Sequence, residues 1–220
     1  MERNNTRKSI IINSIIAAIS LFVNGFGIYL TIKANIGAAP WDVLNIGLSK
    51  TFGILFGTAS IIVSLTILLI DIILKEPVGI AMFIDAIVVG KAVDFFNFID
   101  PVKTPKNVWL SILMLVTGLF ILGYTQFLYM RAALGCGPRD TLLVGLKKRL
   151  KKIPIGVISI LLLSFATLTG FLLGGPVGIG TIISAFFSGP IMQFAFHTVH
   201  FDAATIHHSN LKESFKVFVK

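Results

Sequence analysis

Asp85 is an acidic residue in the middle of an apolar stretch, roughly residues 77–96, and no opposite charge lies three or four positions away. An ionisable side chain inside a membrane-crossing stretch is costly to bury and commonly serves a proton, ion or solute path. We therefore expect Asp85 to hold a proton, a cation or part of a solute. The sequence leaves one alternative open, which is a hydrogen bond to Ser or Thr of another helix with no further role.

The sequence G-x-x-P-x-D occurs twice, and it predicts a break between two helices. Glycine can end a helix with a positive φ, proline suits the first position of the next helix, and the aspartate lies where it can cap free N–H groups. The motif therefore has a sufficient structural explanation. It is also typical of the broken helices of transporters, whose exposed ends line a solute path. Its members are Gly37, Pro40 and Asp42 in the first copy, and Gly135, Pro138 and Asp140 in the second.

Three further polar residues complete the predicted pathway. Asn24 lies deep within the first apolar stretch, where its side chain needs a partner on another helix or on a solute. Asn35 precedes the first motif and Arg139 lies within the second, and neither has a counterpart of the same type in the other copy. Any role of these two side chains is therefore present once. Asp94 lies three residues after Lys91, which predicts a local ion pair.

The composition of the whole chain indicates that it is embedded in lipid. Of its 220 residues, 55% are hydrophobic and 13% are charged, and the mean hydropathy is +0.90. A soluble domain carries roughly 25% charged residues. Crossing a bilayer takes about 20 apolar residues, and the stretches that qualify are 10–32, 55–74, 77–96, 108–130, 154–174 and 176–196. We expect an all-α, polytopic transmembrane bundle of six spans, with charged stretches 40–52 and 138–151 as short re-entrant or interfacial helices.

The chain contains an internal duplication. Residues 37–42 match residues 135–140 at an offset of 98, and Pro77-Val78-Gly79-Ile80 matches Pro176-Val177-Gly178-Ile179 at an offset of 99. The prolines and glycines of this second motif are also predicted helix breaks. Each copy has three predicted crossings, and an odd number places the second copy in the opposite orientation. The expected organisation is a first repeat at 1–100, a linker at 101–107, an inverted second repeat at 108–196 and a tail at 197–220.

The distribution of Lys and Arg predicts the orientation of the chain. With six crossings and a cytoplasmic N-terminus, 14 of these residues fall in cytoplasmic segments and four in outer segments. Basic residues concentrate on the cytoplasmic side of membrane proteins. We therefore expect a multi-pass protein of the cell membrane with its N-terminus and C-terminus in the cytoplasm.

Several function classes have no supporting motif in this sequence. The basic residues cluster at the ends of apolar stretches rather than in a patch with stacking aromatics, so nucleic acid is not an expected partner. A single cysteine, Cys136, precludes an internal disulfide, and the histidines lie in a polar tail without metal-ligand spacing. Hydrolase, P-loop and dinucleotide-binding motifs are missing. We expect no metal, no cofactor and no enzymatic activity.

The segment around the first break resembles a known family. Ala34-Asn35-Ile36-Gly37-Ala38-Ala39-Pro40-Trp41-Asp42-Val43-Leu44, followed by Gly47-Leu48-Ser49, is similar to the hallmark of the YczE/YyaS/YitT group of bacterial membrane proteins. Gly57 and the first P-V-G-I turn suit the same pattern. The resemblance implies a multi-spanning protein of the bacterial cytoplasmic membrane, and it implies no catalytic residues.

Two functions are compatible with these observations. The first is a small-solute or ion transporter or permease, with a pathway between the two repeats. The second is a membrane partner or regulatory subunit that transports nothing and would tolerate replacement of Asp85. The expected partners are bilayer lipid and a small solute or ion, and the sequence leaves open a homo-oligomer or a complex with another membrane protein.

Overall fold

The computed structural model describes residues 7–202, and all regular structure in that range is α-helical. The predicted all-α class is therefore confirmed. The predicted tail falls largely on residues 203–220, which lie outside the described residues. The helices are α1 (Arg7–Lys33), α2 (Pro40–Phe52), α3 (Phe56–Ile73), α4 (Ile80–Ile99), α5 (Val108–Arg131), α6 (Pro138–Arg149), α7 (Ile155–Leu172) and α8 (Ile179–Thr198).

Five of these helices, α1, α3, α5, α7 and α8, are long and apolar enough to cross a membrane. Helix α4 has 20 residues, but it carries Asp85, Lys91 and Asp94, and these charges exclude it from the group. It nevertheless packs against both α1 and α3. A membrane-spanning helical bundle is supported, whereas the crossing by α4 and the total of six spans stay predictions.

Both predicted G-x-x-P-x-D breaks are present. Gly37 and Gly135 have φ values of 105° and 121°, and α2 and α6 begin at Pro40 and Pro138. Only glycine adopts such φ values without strain. No side-chain hydrogen bond caps either short helix. The carboxylates of Asp42 and Asp140 lie in the first turns of these helices.

The two halves also share unusual backbone angles where their residue types differ. Asn35 and Ala133, 98 positions apart, have φ values of 54° and 58°. Lys75 and Gly174, 99 positions apart, have φ values of 56° and 83°. Positive φ is uncommon outside glycine. Its recurrence at the two offsets found in the sequence supports the predicted duplication.

Helices α4 and α8 begin only at the last residue of the P-V-G-I turns. Gly79 is extended, with φ −109° and ψ 164°, so α4 begins at Ile80 rather than at the predicted residue 77. Pro176 and Gly178 likewise precede α8 instead of belonging to it. Asp85 consequently lies in the second turn of α4 and not in the middle of the helix, which corrects the position expected from the sequence.

Each break packs against the P-V-G-I turn of the other half. The N–H of Gly180 donates to the carbonyl oxygen of Ile36 at 2.7 Å, and at the equivalent positions the N–H of Ala81 donates to the carbonyl oxygen of Leu134 at 3.1 Å. A Cβ atom on Gly79 would lie 2.2 Å from that Leu134 oxygen. Glycine is required here because the two backbones approach too closely for a side chain.

The helices of the two halves make corresponding contacts, and the short helix of each half packs on a long helix of the other. Helix α1 packs on α5, α4 packs on α1 as α8 packs on α5, and α2 packs on α7 as α6 packs on α3. One buried apolar cluster joins α1, α4 and α5 through Ala17, Leu21, Ala81 and Tyr129. The short helix of each half is thus held by the other half.

One helix pair breaks this correspondence. In the first half, a Cβ atom on Gly57 of α3 would lie 2.1 Å from the carbonyl oxygen of Gly90 of α4. The Gly57 N–H also donates to Asp94 Oδ1 at 2.7 Å, so the predicted pairing of Asp94 with Lys91 is wrong. In the second half, Cβ atoms on Gly156 of α7 or Gly189 of α8 would meet nothing within 4 Å. The α3–α4 pair is therefore closed and the α7–α8 pair is open.

The loop before α4 is held by the C-terminal end of α6. Glu76, whose side chain is 5% exposed, accepts hydrogen bonds from Lys148 Nζ at 2.5 Å and from Arg149 Nη1 at 2.9 Å. The hydrogen bond from Lys148 is the main reason that the pKa of Glu76 is lowered from its ordinary value, with Arg149 adding to the effect and burial opposing it. At the equivalent place in the other half, Lys50 Nζ donates to the carbonyl oxygen of Gly174 at 3.0 Å without a carboxylate partner.

Glu76→Gln should lower the thermal stability of the purified chain by a few degrees at pH 7, because about 1–2 kcal/mol of charge-assisted hydrogen bonding is lost. A carboxylate with a lowered pKa stabilises the fold above its ordinary value of 4.5 and loses that contribution as the pH falls through the lowered pKa. The Tm difference between wild type and variant should therefore shrink below about pH 4.5. Equal melting curves at pH 7 would show that this ion pair contributes nothing.

Candidate solute-binding cavity

A cavity of about 320 Å³ lies between the two halves, and each of the eight helices contributes to its lining. Five of the six predicted pathway residues line it: Asn24, Asp42, Asp85, Arg139 and Asp140. Asn35 does not, because it is the exposed residue after α1 that turns the chain into the first break. The helix starts at Pro40 and Pro138 bring the two short helices to the cavity with their N-terminal ends.

Two carboxylates converge at one wall of the cavity. A Cβ atom placed on Gly137 would lie 3.2 Å from Oδ2 of Asp85 and 3.7 Å from Oδ2 of Asp140. Asp140 also accepts a hydrogen bond from Gln126 Nε2 at 3.3 Å. Asp85 makes no hydrogen bond or ion pair with any residue of the described range, and the hydrogen bond to Ser or Thr considered from the sequence is not formed. Its carboxylate is therefore free to bind a ligand.

The single guanidinium of the cavity is held by an aromatic ring. The guanidinium carbon of Arg139 lies 5.1 Å from the centroid of the Trp41 ring, a cation–π distance. Within residues 7–202, Arg139 forms no ion pair within 4 Å, although the side chains of Asp42, Asp85 and Asp140 all feel its charge. Trp41 and Arg139 lie 98 positions apart, the offset of the first repeated motif, and their contact joins the starts of α2 and α6.

Two buried hydroxyl groups in the lining lack a hydrogen-bond partner within the described range. They belong to Tyr129, which is 2% exposed, and Ser184, which is 1% exposed. Ser184 lies 99 positions after Asp85, the offset of the second repeated motif, and the two side chains line one cavity with different chemistry. A buried hydroxyl without a partner costs roughly 1–3 kcal/mol, which a ligand or water in the cavity would offset.

Asn24 has the interhelical partner considered from the sequence, and its contact with a solute stays a prediction. Its Nδ2 donates to Thr125 Oγ1 at 2.9 Å, which joins α1 to α5, and its side chain also lines the cavity. The role of Tyr129, in contrast, had no sequence signal, because an aromatic residue in an apolar helix is ordinary. The Trp41–Arg139 contact could have been inferred from the 98-residue offset, since equivalent residues of two repeats can meet at the axis that relates them.

The cavity adjoins a second cavity and is lined in part by exposed residues of α8. A second cavity of about 410 Å³ adjoins it, sharing Gln126, Asp140 and Met192, and continues to Glu76 and Lys148. In addition, the exposed residues Ala185 and Ser188 of α8 line the first cavity where α7 and α8 stand apart. Both features involve α8, and the second cavity is also lined by Glu76 and Pro77 of the first half.

The apolar helices and the charged cavity buried among them define a polytopic helical membrane protein. The model of a family described as "Family of unknown function (DUF6198)" matches residues 11–197. The chain therefore belongs to this family, and the resemblance to YczE and YyaS proteins is confirmed.

Three curated relatives agree with this assignment. The chain is 30% identical to "Uncharacterized membrane protein YczE" of Bacillus subtilis, with 80% of the chain and 81% of the relative aligned. It is 31% identical to an "Uncharacterized protein" of Haemophilus influenzae over 80% of the chain and 79% of the relative. The identity to "Uncharacterized protein YyaS" of B. subtilis is 27%, over 80% of the chain and 88% of the relative. No solved structure matches the chain.

Proposed function

We propose that this protein is a small-solute or ion transporter whose pathway runs through the central cavity between two inverted repeats. The observation that carries the proposal is the cavity itself, which is lined by all eight helices and gathers charged and hydroxyl side chains from both halves. A membrane anchor or regulatory subunit has no need of an uncompensated carboxylate in such a place. Intramembrane ionisable residues of this kind typically serve a transport path.

The difference between the two helix pairs supports an alternating mechanism. The α3–α4 pair is closed by the contact of Gly57 with Gly90, whereas the equivalent glycines of α7 and α8 are uncovered. With the N-terminus in the cytoplasm and six crossings, the open pair faces the cytoplasm and the closed pair faces outward. Exchanging the two arrangements would open the cavity to the other side. Inverted repeats achieve alternating access in this way in other transporters.

Solute flux into proteoliposomes tests the proposal. The purified chain would be reconstituted and supplied with a panel of radiolabelled small amines, carboxylates and neutral solutes, with protein-free liposomes as the baseline. Transport predicts saturable uptake of at least one class of solute. Absence of flux for the whole panel, together with a stoichiometric protein partner that remains bound through purification, would favour the regulatory subunit instead.

A further inference from the structure

We infer that the central cavity binds a small monovalent organic cation, with its ammonium group between the carboxylates of Asp85 and Asp140. The inference rests on the proposed transport function and names its substrate class. It depends on the charges of the cavity, on the unpaired polar atoms in its lining and on its size.

The groups that line the cavity leave a net charge of about −1, which one positive charge would neutralise. Its lining contains the carboxylates of Asp42, Asp85 and Asp140 and the single guanidinium of Arg139. The N-terminal ends of α2 and α6 also face the cavity, and each is equivalent to about half a positive charge. One negative charge therefore remains when all three carboxylates are ionised. An uncompensated buried charge is unstable, so a monovalent cation or a proton must offset it.

The unpaired groups match the hydrogen bonds of an ammonium group. A primary ammonium has three N–H donors and no acceptor. Asp85 offers a carboxylate without another partner, Asp140 Oδ2 lies near the same point beside Gly137 and also accepts a hydrogen bond from Gln126, and the Tyr129 hydroxyl has no partner within the described range. All three of these groups line the same cavity. Ser184 adds a second unpaired hydroxyl elsewhere in the lining.

The remaining walls favour an organic cation over a metal ion. A volume of about 320 Å³ is far larger than a desolvated ion needs, and it falls in the range of small-molecule sites. Val89, Leu119 and Leu122 form part of the lining and can cover a hydrocarbon group. Within residues 7–202 no three His, Cys, Asp or Glu side chains are grouped to hold a metal ion. A protonated amine with a short apolar chain can contact the carboxylates with its ammonium group and the apolar wall with its hydrocarbon chain.

Thermal unfolding of the purified full chain tests this inference without requiring transport. The probes are butylammonium, butanol and butyrate, with sodium chloride at matched ionic strength. Butylammonium alone should raise the Tm of the wild type, by several degrees at saturation. Asp85→Asn and Asp140→Asn should each lose most of this shift, whereas Asp100→Asn, which removes a carboxylate at the end of α4 and outside the cavity, should keep it.

The variants also serve as controls for partition of butylammonium into the detergent, because all are measured in the same micelles. Stabilisation by butyrate, an equal shift with sodium ion alone, or an undiminished shift in both Asp85→Asn and Asp140→Asn would overturn the inference. Failure of the two proposals can be distinguished. Butylammonium binding without flux of any solute contradicts transport, whereas flux without butylammonium binding contradicts only the substrate class.

Discussion

Asp85→Asn is expected to reduce solute flux in proteoliposomes by about 100-fold while the protein stays folded. Removing one partner of a desolvated charge pair costs about 2–5 kcal/mol of binding, and each 1.4 kcal/mol is a factor of ten. The amide keeps the shape of the carboxylate but cannot hold the charge. Because Asp85 bonds to no residue of the described range, its replacement breaks no contact that stabilises the fold.

The matched control for this variant is Asp100→Asn. Asp100 accepts hydrogen bonds from Lys33 and from the Tyr29 hydroxyl at the C-terminal end of α1, and its pKa is lowered chiefly by the bond from Lys33. It should alter Tm slightly and leave flux unchanged. Wild-type flux in Asp85→Asn, with the same apparent affinity, would mean that the carboxylate plays no part in transport.

The second large effect is expected from a pair of equivalent glycines. Gly57→Ala places a methyl group 2.1 Å from the Gly90 carbonyl oxygen, which forces α3 away from α4. Such overpacking costs about 1–3 kcal/mol, so the variant should melt several degrees lower. Gly156→Ala meets no atom within 4 Å and should melt like the wild type. The comparison makes the same substitution at two glycines that lie 99 positions apart, near the starts of α3 and α7.

Solute flux through the Gly156→Ala variant should distinguish an alternating transporter from a channel whose α7–α8 pair stays open. If α7 closes on α8 during transport as α3 closes on α4 here, Gly156→Ala blocks that closure, and flux falls by about 10-fold or more although stability is unchanged. Gly57→Ala should impair flux by hindering the opposite closure. Full activity in Gly156→Ala would show that Gly156 stays uncovered throughout the cycle and would contradict the alternating mechanism.

Much of the helix layout could be predicted because apolar length and break residues are local signals. The predicted stretches 55–74 and 108–130 differ from α3 and α5 by one residue at each changed end. The error at α4 has a local cause as well, since Pro77 and Gly79 extend the chain and shift the helix start. The cavity residues Asp42 and Asp140 could be predicted because glycine, proline and aspartate recur at a fixed offset. Matches between apolar residues would not have been informative, because such residues recur by chance in apolar helices.

The parts that could not be predicted depend on contacts between distant segments. Helix α3 contacts α4 through two glycines, whereas α7 and α8 stand apart although glycines occupy the corresponding positions. The residue types therefore could not predict which helix pair is in contact. The unpaired hydroxyl of Tyr129 and the bond from Gly57 to Asp94 also arise only when helices pack. For Asp94, the nearby Lys91 was a misleading signal, because the carboxylate accepts a hydrogen bond from the Gly57 N–H at the start of α3 instead.

The central claim is that the two halves face opposite ways around the cavity, and cysteine labelling from each side of the membrane tests it most directly. Cys136 is the only cysteine, so Cys136→Ser gives a background without thiols. Lys50→Cys at the end of α2 and Lys152→Cys after α6 would be treated in intact cells with an impermeant maleimide. Both positions are exposed. We predict that Lys50→Cys is labelled at once and Lys152→Cys only after permeabilisation, whereas labelling of both from the same side would contradict the inverted arrangement.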